Sequence, residues 1–306
     1  MIVQERSKKM TKLKKTIISI LAASVAISAV FVGCSTSNKD KGTNDNQSQA
    51  VTGNITVVSR EEGSGTRDAF TELMGIIDEN DNDMTVQTAE FTNSTSVMMS
   101  TVQGNEKSIG YVSLGSLSDT VKAVSLDGVE PSTATVKDGT YKLQRPFNIA
   151  YIDSSLSDIA KDFVAYIMST QGQAIIEKEG YISVESTSEY QSSSLSGTVT
   201  LAGSTSVAPV MNVIADEYKK LNPQVKVEIQ ESGSSAGIQS AISGAVDIAM
   251  SSRELKKDEA KTLKAEKIAL DGIAVIVNKS NSISNLTSDQ VKAIYTGEIT
   301  AWDELK

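Results

Sequence analysis

Three stretches of this chain repeat one plan: an apolar run, a glycine–serine corner, then an amphipathic pattern. They are ITVVSREEGSGTRDAF (55–70), TLAGSTSVAPV (200–210) and IQESGSSAGIQSA (229–241). Each predicts a strand that turns sharply into a helix. At such a turn several backbone N–H groups lack intrahelical partners, and the positive end of the helix dipole stands behind them. Glycine lets the backbone approach a ligand closely, and serine or threonine adds hydroxyl donors at the same point. One such corner is an ordinary capped turn. Three of them, at strand ends in an α/β chain, predict a shared anion site, because open α/β sheets bind ligands there.

The other elements fit an α/β class. Further strands are predicted at SIGYVS (108–113), FNIAY (147–151), VKVEIQ (225–230), VDIAMS (246–251) and GIAVIVN (272–278). Apolar spacing predicts helices at 66–78, 95–103, 157–169, 171–179, 206–220, 235–244 and 287–296, with Ser157 and Thr287 as N-caps. Strands separated by helices imply mainly parallel pairing with helices on both faces. Tyr295 and Trp302 are expected in the core.

The chemistry available is narrow. The chain has no histidine and one cysteine, which removes the usual general base and the commonest zinc ligand. Ser64 or Ser204 as a nucleophile would need a lysine base, and neither lies in an SxxK pair. No enzyme, metal site or cofactor is expected. Asp81 and Asp83 in DENDND (78–83) read as a solvated loop. GxxxxGK[ST] and GxGxxG are both absent, so the corners are not nucleotide loops of those kinds.

Residues 1–34 read as a lipoprotein signal peptide. Six Lys and Arg precede an apolar run from Ile17 to Val32, and Cys34 follows Gly33 where a lipid-modified N-terminus would be generated. Loss of residues 1–33 would take the net charge from −9 to −14, by removing six basic side chains and Glu5. Such a surface disfavours nucleic acid, so anion binding must come from local geometry. Residues 35–54 read as a disordered tether, and ESTSEYQSSSLSG (185–197) as an exposed linker.

Two arginines stand beside the corners. Arg60 either forks onto two oxygens of a tetrahedral anion or pairs with Glu61 or Glu62; Arg253, after VDIAMSS, has a similar choice.

These segments resemble the phosphate-binding lipoproteins that serve phosphate-specific ABC transporters. The resemblance covers nearly all of 55–306, through TVTLAGSTSVAPV, GSSAG, DIAMSSREL, IYTGEITAWDELK, ITVVSREEGSGTRDAF, IGYVSLG, RPF and GQAIIEKEGYISV. The order differs from the family's usual one, since 55–184 precedes 197–306. The chain therefore looks like a circular permutant with 185–197 as its new junction; a rearranged gene and a swapped dimer are the alternatives.

The resemblance implies a two-lobed, type II periplasmic-binding-protein-like α/β fold with a ligand cleft between the lobes. One lobe would be 146–270 and the other 55–145 plus 271–306. It implies Arg60, Ser64, Gly65, Thr66, Thr205, Ser206, Ser234, Ser252 and Arg253 as phosphate-binding residues. Ser252 stands where some family members carry an aspartate, which bears on the choice between phosphate and sulfate. The implied role is an extracytoplasmic binding lipoprotein, held to the cell membrane through Cys34, that delivers inorganic phosphate to permease subunits. The alternatives are another tetrahedral oxyanion (sulfate, molybdate, tungstate) or a phosphate sensor or adhesin without transport.

Overall fold

The computed structural model describes residues 51–186 and 188–305. The leader, Cys34 and residues 35–50 of the tether lie outside the described residues.

The first corner comes out as β1 (Thr56–Arg60) leading to α1 (Gly65–Leu73). Next come β2 (Glu90–Thr92), α2 (Thr95–Gly104), β3 (Ser108–Ser113), β4 (Val121–Ala123), β5 (Ser125–Leu126) and α3 (Thr133–Lys137). The chain continues through β6 (Gln144–Tyr151), α4 (Asp158–Met168), α5 (Thr170–Lys178) and β7 (Ile182–Ser183). The second and third corners join β8 (Gly197–Gly203) to α6 (Ala208–Leu221) and β9 (Val225–Glu231) to α7 (Ser234–Ile242). β10 (Ile248–Ser251), β11 (Lys264–Asn278), β12 (Asn285–Leu286) and α8 (Ser288–Thr296) complete the described elements. Ser157 and Thr287 cap α4 and α8 as expected, Thr287 within a capping box with Gln290. Such caps contribute about 1 kcal/mol each.

The main sheet runs β2-β1-β3-β11-β6-β10-β8-β9, with β4 and β7 also on β11. Pairing is parallel at both ends, among β2, β1 and β3 and among β10, β8 and β9. It is antiparallel in the middle, where β11 meets β3 and β6, and β6 meets β10. The expectation of mainly parallel pairing therefore needs correcting at the centre. The chain passes one way through β6 and back through β11, so the two must oppose each other. β11 is long enough to pair with β6 at Lys264–Gly272 and with β3 at Ile273–Val277. Its GIAVIV segment is buried throughout, which explains a run without alternation.

Two large hydrophobic clusters flank those crossings. One is built from Phe147, Phe163, Leu201, Met211, Tyr218, Met250 and Ile268, among others. The second contains Phe70, Ile109, Tyr111, Tyr141, Val275 and Tyr295, with Trp302 at its edge. Phe70 stacks on Tyr111 at 4.0 Å and meets Tyr295 edge-on at 4.9 Å. Each buried aromatic or branched side chain contributes roughly 1.5–3 kcal/mol. Tyr295 and Trp302 are core residues, as their sequence context suggested.

Three boundaries differ from expectation. The helix expected over 66–78 ends at Leu73, and Ile77 bridges Asp83 instead. Residues 51–54, counted as tether, already join the fold: Asn54 bridges Ala301 and the Gly53 N–H donates to Asp303. Among the described residues, 185–196 have no regular structure and Gly197 already opens β8, yet Tyr190 pins the stretch. Its hydroxyl donates to Asp162 at 2.6 Å and accepts from Asn222 at 2.8 Å, and its ring stands 5.0 Å from that of Tyr166. A tyrosine with apolar neighbours and a satisfied hydroxyl holds a polar loop that would otherwise remain solvated. Among the described residues no helix is long and apolar enough to cross a membrane.

Candidate functional site

Each corner forms as its sequence dictates. After β1, Ser64 caps α1 by accepting from the Arg67 N–H. After β8, the Ser204 hydroxyl accepts from the N–H groups of Ser206 and Val207, and Pro209 occupies the first turn of α6, where its missing N–H does no harm. After β9, Gly233 adopts φ 82° immediately before α7, a left-handed conformation suited to glycine.

These helix starts meet in space. The Thr66 hydroxyl lies 2.9 Å from that of Ser206. Arg60 Nη2 donates to Thr205 Oγ1 at 3.1 Å. A fourth helix start joins them: Thr95, at the head of α2, sits 3.2 Å from both Thr205 Oγ1 and Ser206 Oγ. Beside this knot, Ser234 Oγ lies 3.4 Å from Ser252 Oγ and accepts the Ser252 N–H at 3.2 Å. Gly65 presses against that pair; a Cβ there would fall 2.3 Å from Ser234 Oγ and 2.9 Å from Ser252 Oγ. The Gly63 carbonyl accepts the Ser235 N–H at 3.1 Å, tying the α1 corner to the α7 corner.

All of these side chains are buried, Arg60 at 2% exposure and Ser234 and Ser252 at 0%. Arg60 is held by Glu61, its Nε and Nη2 each 2.8 Å from a carboxylate oxygen. Its backbone N–H and the Ser59 hydroxyl meet the Tyr111 hydroxyl, whose burial pushes its pKa up to about 12. The result is one guanidinium among neutral hydroxyls and helix-start N–H groups. That set can donate several hydrogen bonds to a small oxyanion, and the Glu61 carboxylate beside it is taken up by Arg60.

Arg253 is placed differently. Its fork meets Glu259 at 2.8 and 2.9 Å, its Nε lies 3.0 Å from Asp68, and Nη2 donates to Ser235 at 3.1 Å. Burial alone would raise the Glu259 carboxyl, but Arg253 together with the Lys256 N–H and ammonium outweighs it and holds the group below the usual range. Burial pushes Asp68 up, against the pull of Arg253. Arg253 thus acts as a strut between α1 and the segment after β10, with its two Nη groups hydrogen-bonded and its Nε within ion-pair distance of Asp68 but without a hydrogen bond.

The structure therefore brings Arg60, Thr66, Thr205 and Ser206 into one knot and Gly65, Ser234 and Ser252 into its neighbour. Ser64 serves as a cap, and Arg253 stands to one side. Thr95 is absent from the sequence reading. Its segment, TNSTSV, is rich in hydroxyls but lacks glycine, so a rule built on Gly–Ser corners passes over it. Among the described residues there is no group of three or more metal-ligating side chains.

The profile of the PBP superfamily domain matches residues 2–171 and 188–306. A phosphate-binding protein PstS 2 of Streptococcus agalactiae serotype V is 47% identical over 298 residues, covering 95% of this chain and 99% of that one. The phosphate-binding protein PstS of Bacillus subtilis is 32% identical over 113 residues, or 36% of this chain and 38% of its own length. Among solved structures, a phosphate ABC transporter phosphate-binding protein from Streptococcus pneumoniae TIGR4 superposes with a TM-score of 0.68 at 46% identity. That match covers 83% of this chain and 100% of that chain.

Proposed function

This chain belongs to the phosphate-binding proteins of the PBP superfamily, and from that membership we propose that it captures inorganic phosphate outside the cytoplasm for an ABC transporter permease. The observation that carries the proposal is the convergence of four helix starts on buried Arg60, Thr66, Thr95, Thr205, Ser206 and Ser234. Hydrogen bonds to a charged group contribute roughly 1.5–3 kcal/mol each. Half a dozen would offset dehydration of a dianion and leave about −8 kcal/mol, a micromolar affinity.

In this reading the two hydrophobic clusters are the cores of two lobes, 146–270 and 55–145 plus 271–306, joined by β6 and β11. Arg60, whose fork is oriented by Glu61, brings its guanidinium charge to the anion from one lobe, with the Gly65 and Thr66 corner and Thr95 beside it. Thr205, Ser206, Ser234 and Ser252 close from the other. Arg253 braces the closed form through Asp68 and Glu259, and is not itself a ligand. No bond is made or broken; capture is hinge closure around the ligand.

Ser252 keeps a second reading open. A buried hydroxyl can accept the proton of hydrogen phosphate, yet it does not repel sulfate as a carboxylate would. Calorimetric titration of the purified chain with phosphate, sulfate, molybdate and tungstate tests the assignment. Micromolar phosphate with weaker sulfate supports it; tighter binding of any other anion replaces it.

The leader and Cys34 support membrane anchoring through an acylated N-terminus, and loss of palmitate labelling in Cys34→Ser would test this. The order of the two halves is read as a circular permutation of the family's usual one. In support, the Bacillus subtilis match takes in little more than a third of this chain, whereas the streptococcal match runs nearly end to end. The end-to-end match also argues against a rearrangement private to this gene.

A further inference from the structure

The RPF segment (145–147) takes no part in the hydroxyl knot, yet its arginine is as buried as Arg60, at 2% exposure. Arg145 on β6 and Asp271 on β11 are direct cross-strand partners. They sit where the chain passes between the two clusters, which Leu143 and Ile273 close on one side and Phe147 and Ala269 on the other. Arg145 Nε and Nη2 donate to Asp271 Oδ2 at 3.2 and 3.1 Å. Asp271 Oδ1 accepts from the Ser113 hydroxyl at 2.9 Å. Both side chains are 1% exposed.

Burying an ion pair this completely is expensive, and apolar replacements of similar volume are often as stable. Burial pushes the Asp271 carboxyl up and the Arg145 guanidinium down, as that expense implies. Stability is therefore a poor explanation for the pair. One of its further contacts offers a better one. Arg145 Nη1 donates to the Ser252 carbonyl at 3.3 Å, and Asn148, also on β6, donates to the next carbonyl, Arg253, at 3.0 Å. β6 thus grips the peptide that carries Ser252 into contact with Ser234 and Gly65.

We propose that Arg145, oriented by Asp271, is a positioning residue for the anion site. It holds the Ser252 peptide in register with the α7 corner and ties that register to the two strands about which the lobes move. The proposal rests on the phosphate reading, so its test includes a measurement that needs no ligand.

Three variants are compared with the wild-type chain: Arg145→Lys, Asp271→Asn and the double variant R145M/D271L. Readouts are thermal unfolding, phosphate titration, and hydrogen exchange of residues 248–255 without ligand. Asp271→Asn is expected to lose stability by stranding a buried guanidinium. R145M/D271L is expected to recover the wild-type unfolding midpoint while exchange at 248–255 stays at least tenfold faster and phosphate binds at least tenfold more weakly. Arg145→Lys cannot reach both Asp271 and the Ser252 carbonyl, and should show the same local exchange. It carries the test if the double variant does not fold. Wild-type exchange at 248–255 in a folded R145M/D271L or Arg145→Lys would overturn the proposal and reduce the pair to a structural one. A wild-type chain that ignores phosphate would sink the phosphate reading instead, leaving exchange to judge Arg145.

Discussion

Thr66 and Ser206 stand 140 positions apart in the chain, and their hydroxyl oxygens lie 2.9 Å apart in the buried interior. Two hydroxyls satisfy each other there without any charge. An entering oxyanion would exchange those mutual bonds for stronger, charge-assisted ones at little cost in ordering, because the helix starts already hold them.

Among the described residues, Arg60 is the only guanidinium donating to that knot. Arg60→Lys keeps the charge but loses the planar fork that meets both Glu61 and Thr205. At roughly 1.5–3 kcal/mol for each charge-assisted bond, phosphate should bind about ten- to a hundredfold more weakly by calorimetry. An unchanged affinity would remove Arg60 from the site.

Gly65→Ala places a methyl where Ser234 Oγ now lies 2.3 Å away. The α1 and α7 corners would be propped apart, while α1 itself, by propensity, prefers alanine to glycine by about 1 kcal/mol. Phosphate affinity should fall a hundredfold or more with little change in unfolding midpoint. Wild-type affinity would mean that the two corners do not close on the ligand together.

Ser252→Asp brings a carboxylate to the place where the Ser252 hydroxyl now lies 3.4 Å from that of Ser234. Hydrogen phosphate can donate a proton to it and sulfate cannot, so sulfate competition should disappear while phosphate binding persists. Equal loss of both anions would show that position 252 does not govern selectivity.

The Glu259 carboxyl is held below the usual range because Arg253 and Lys256 together outweigh its burial. A depressed acid contributes stability that is complete above its unfolded value, near 4.3, and is lost as pH falls through the folded value. Asp68 works in the opposite direction, since burial raises it and protonation relieves that strain. Glu259→Gln should therefore lower the unfolding midpoint at pH 7 and flatten its decline below about pH 4.5. A parallel decline in both proteins would place the acid sensitivity elsewhere.

Tyr190→Phe removes the hydroxyl shared by Asp162 and Asn222. Stability should drop by about 1–2 kcal/mol in urea unfolding, with phosphate affinity unchanged. Lost affinity would mean that the 185–197 segment helps to shape the site.

The three Gly–Ser corners, seven of the strands and every described α-helix but α3 were legible in the sequence because each rests on local rules: periodicity, caps and glycine turns. Thr95 was not, since a hydroxyl at a helix start has no distinguishing signal until another helix faces it. Arg253 shows the same limit from the other side. Its position after β10 predicts a cation near the site, but Asp68, remote in sequence, and Glu259 pair with it in the folded chain. Local chemistry along the chain thus determined which groups could donate to an anion. Only the tertiary structure decided which of them point at one place, because β6 and β11, running in opposite directions between two cores, bring together residues that the backbone keeps more than a hundred positions apart.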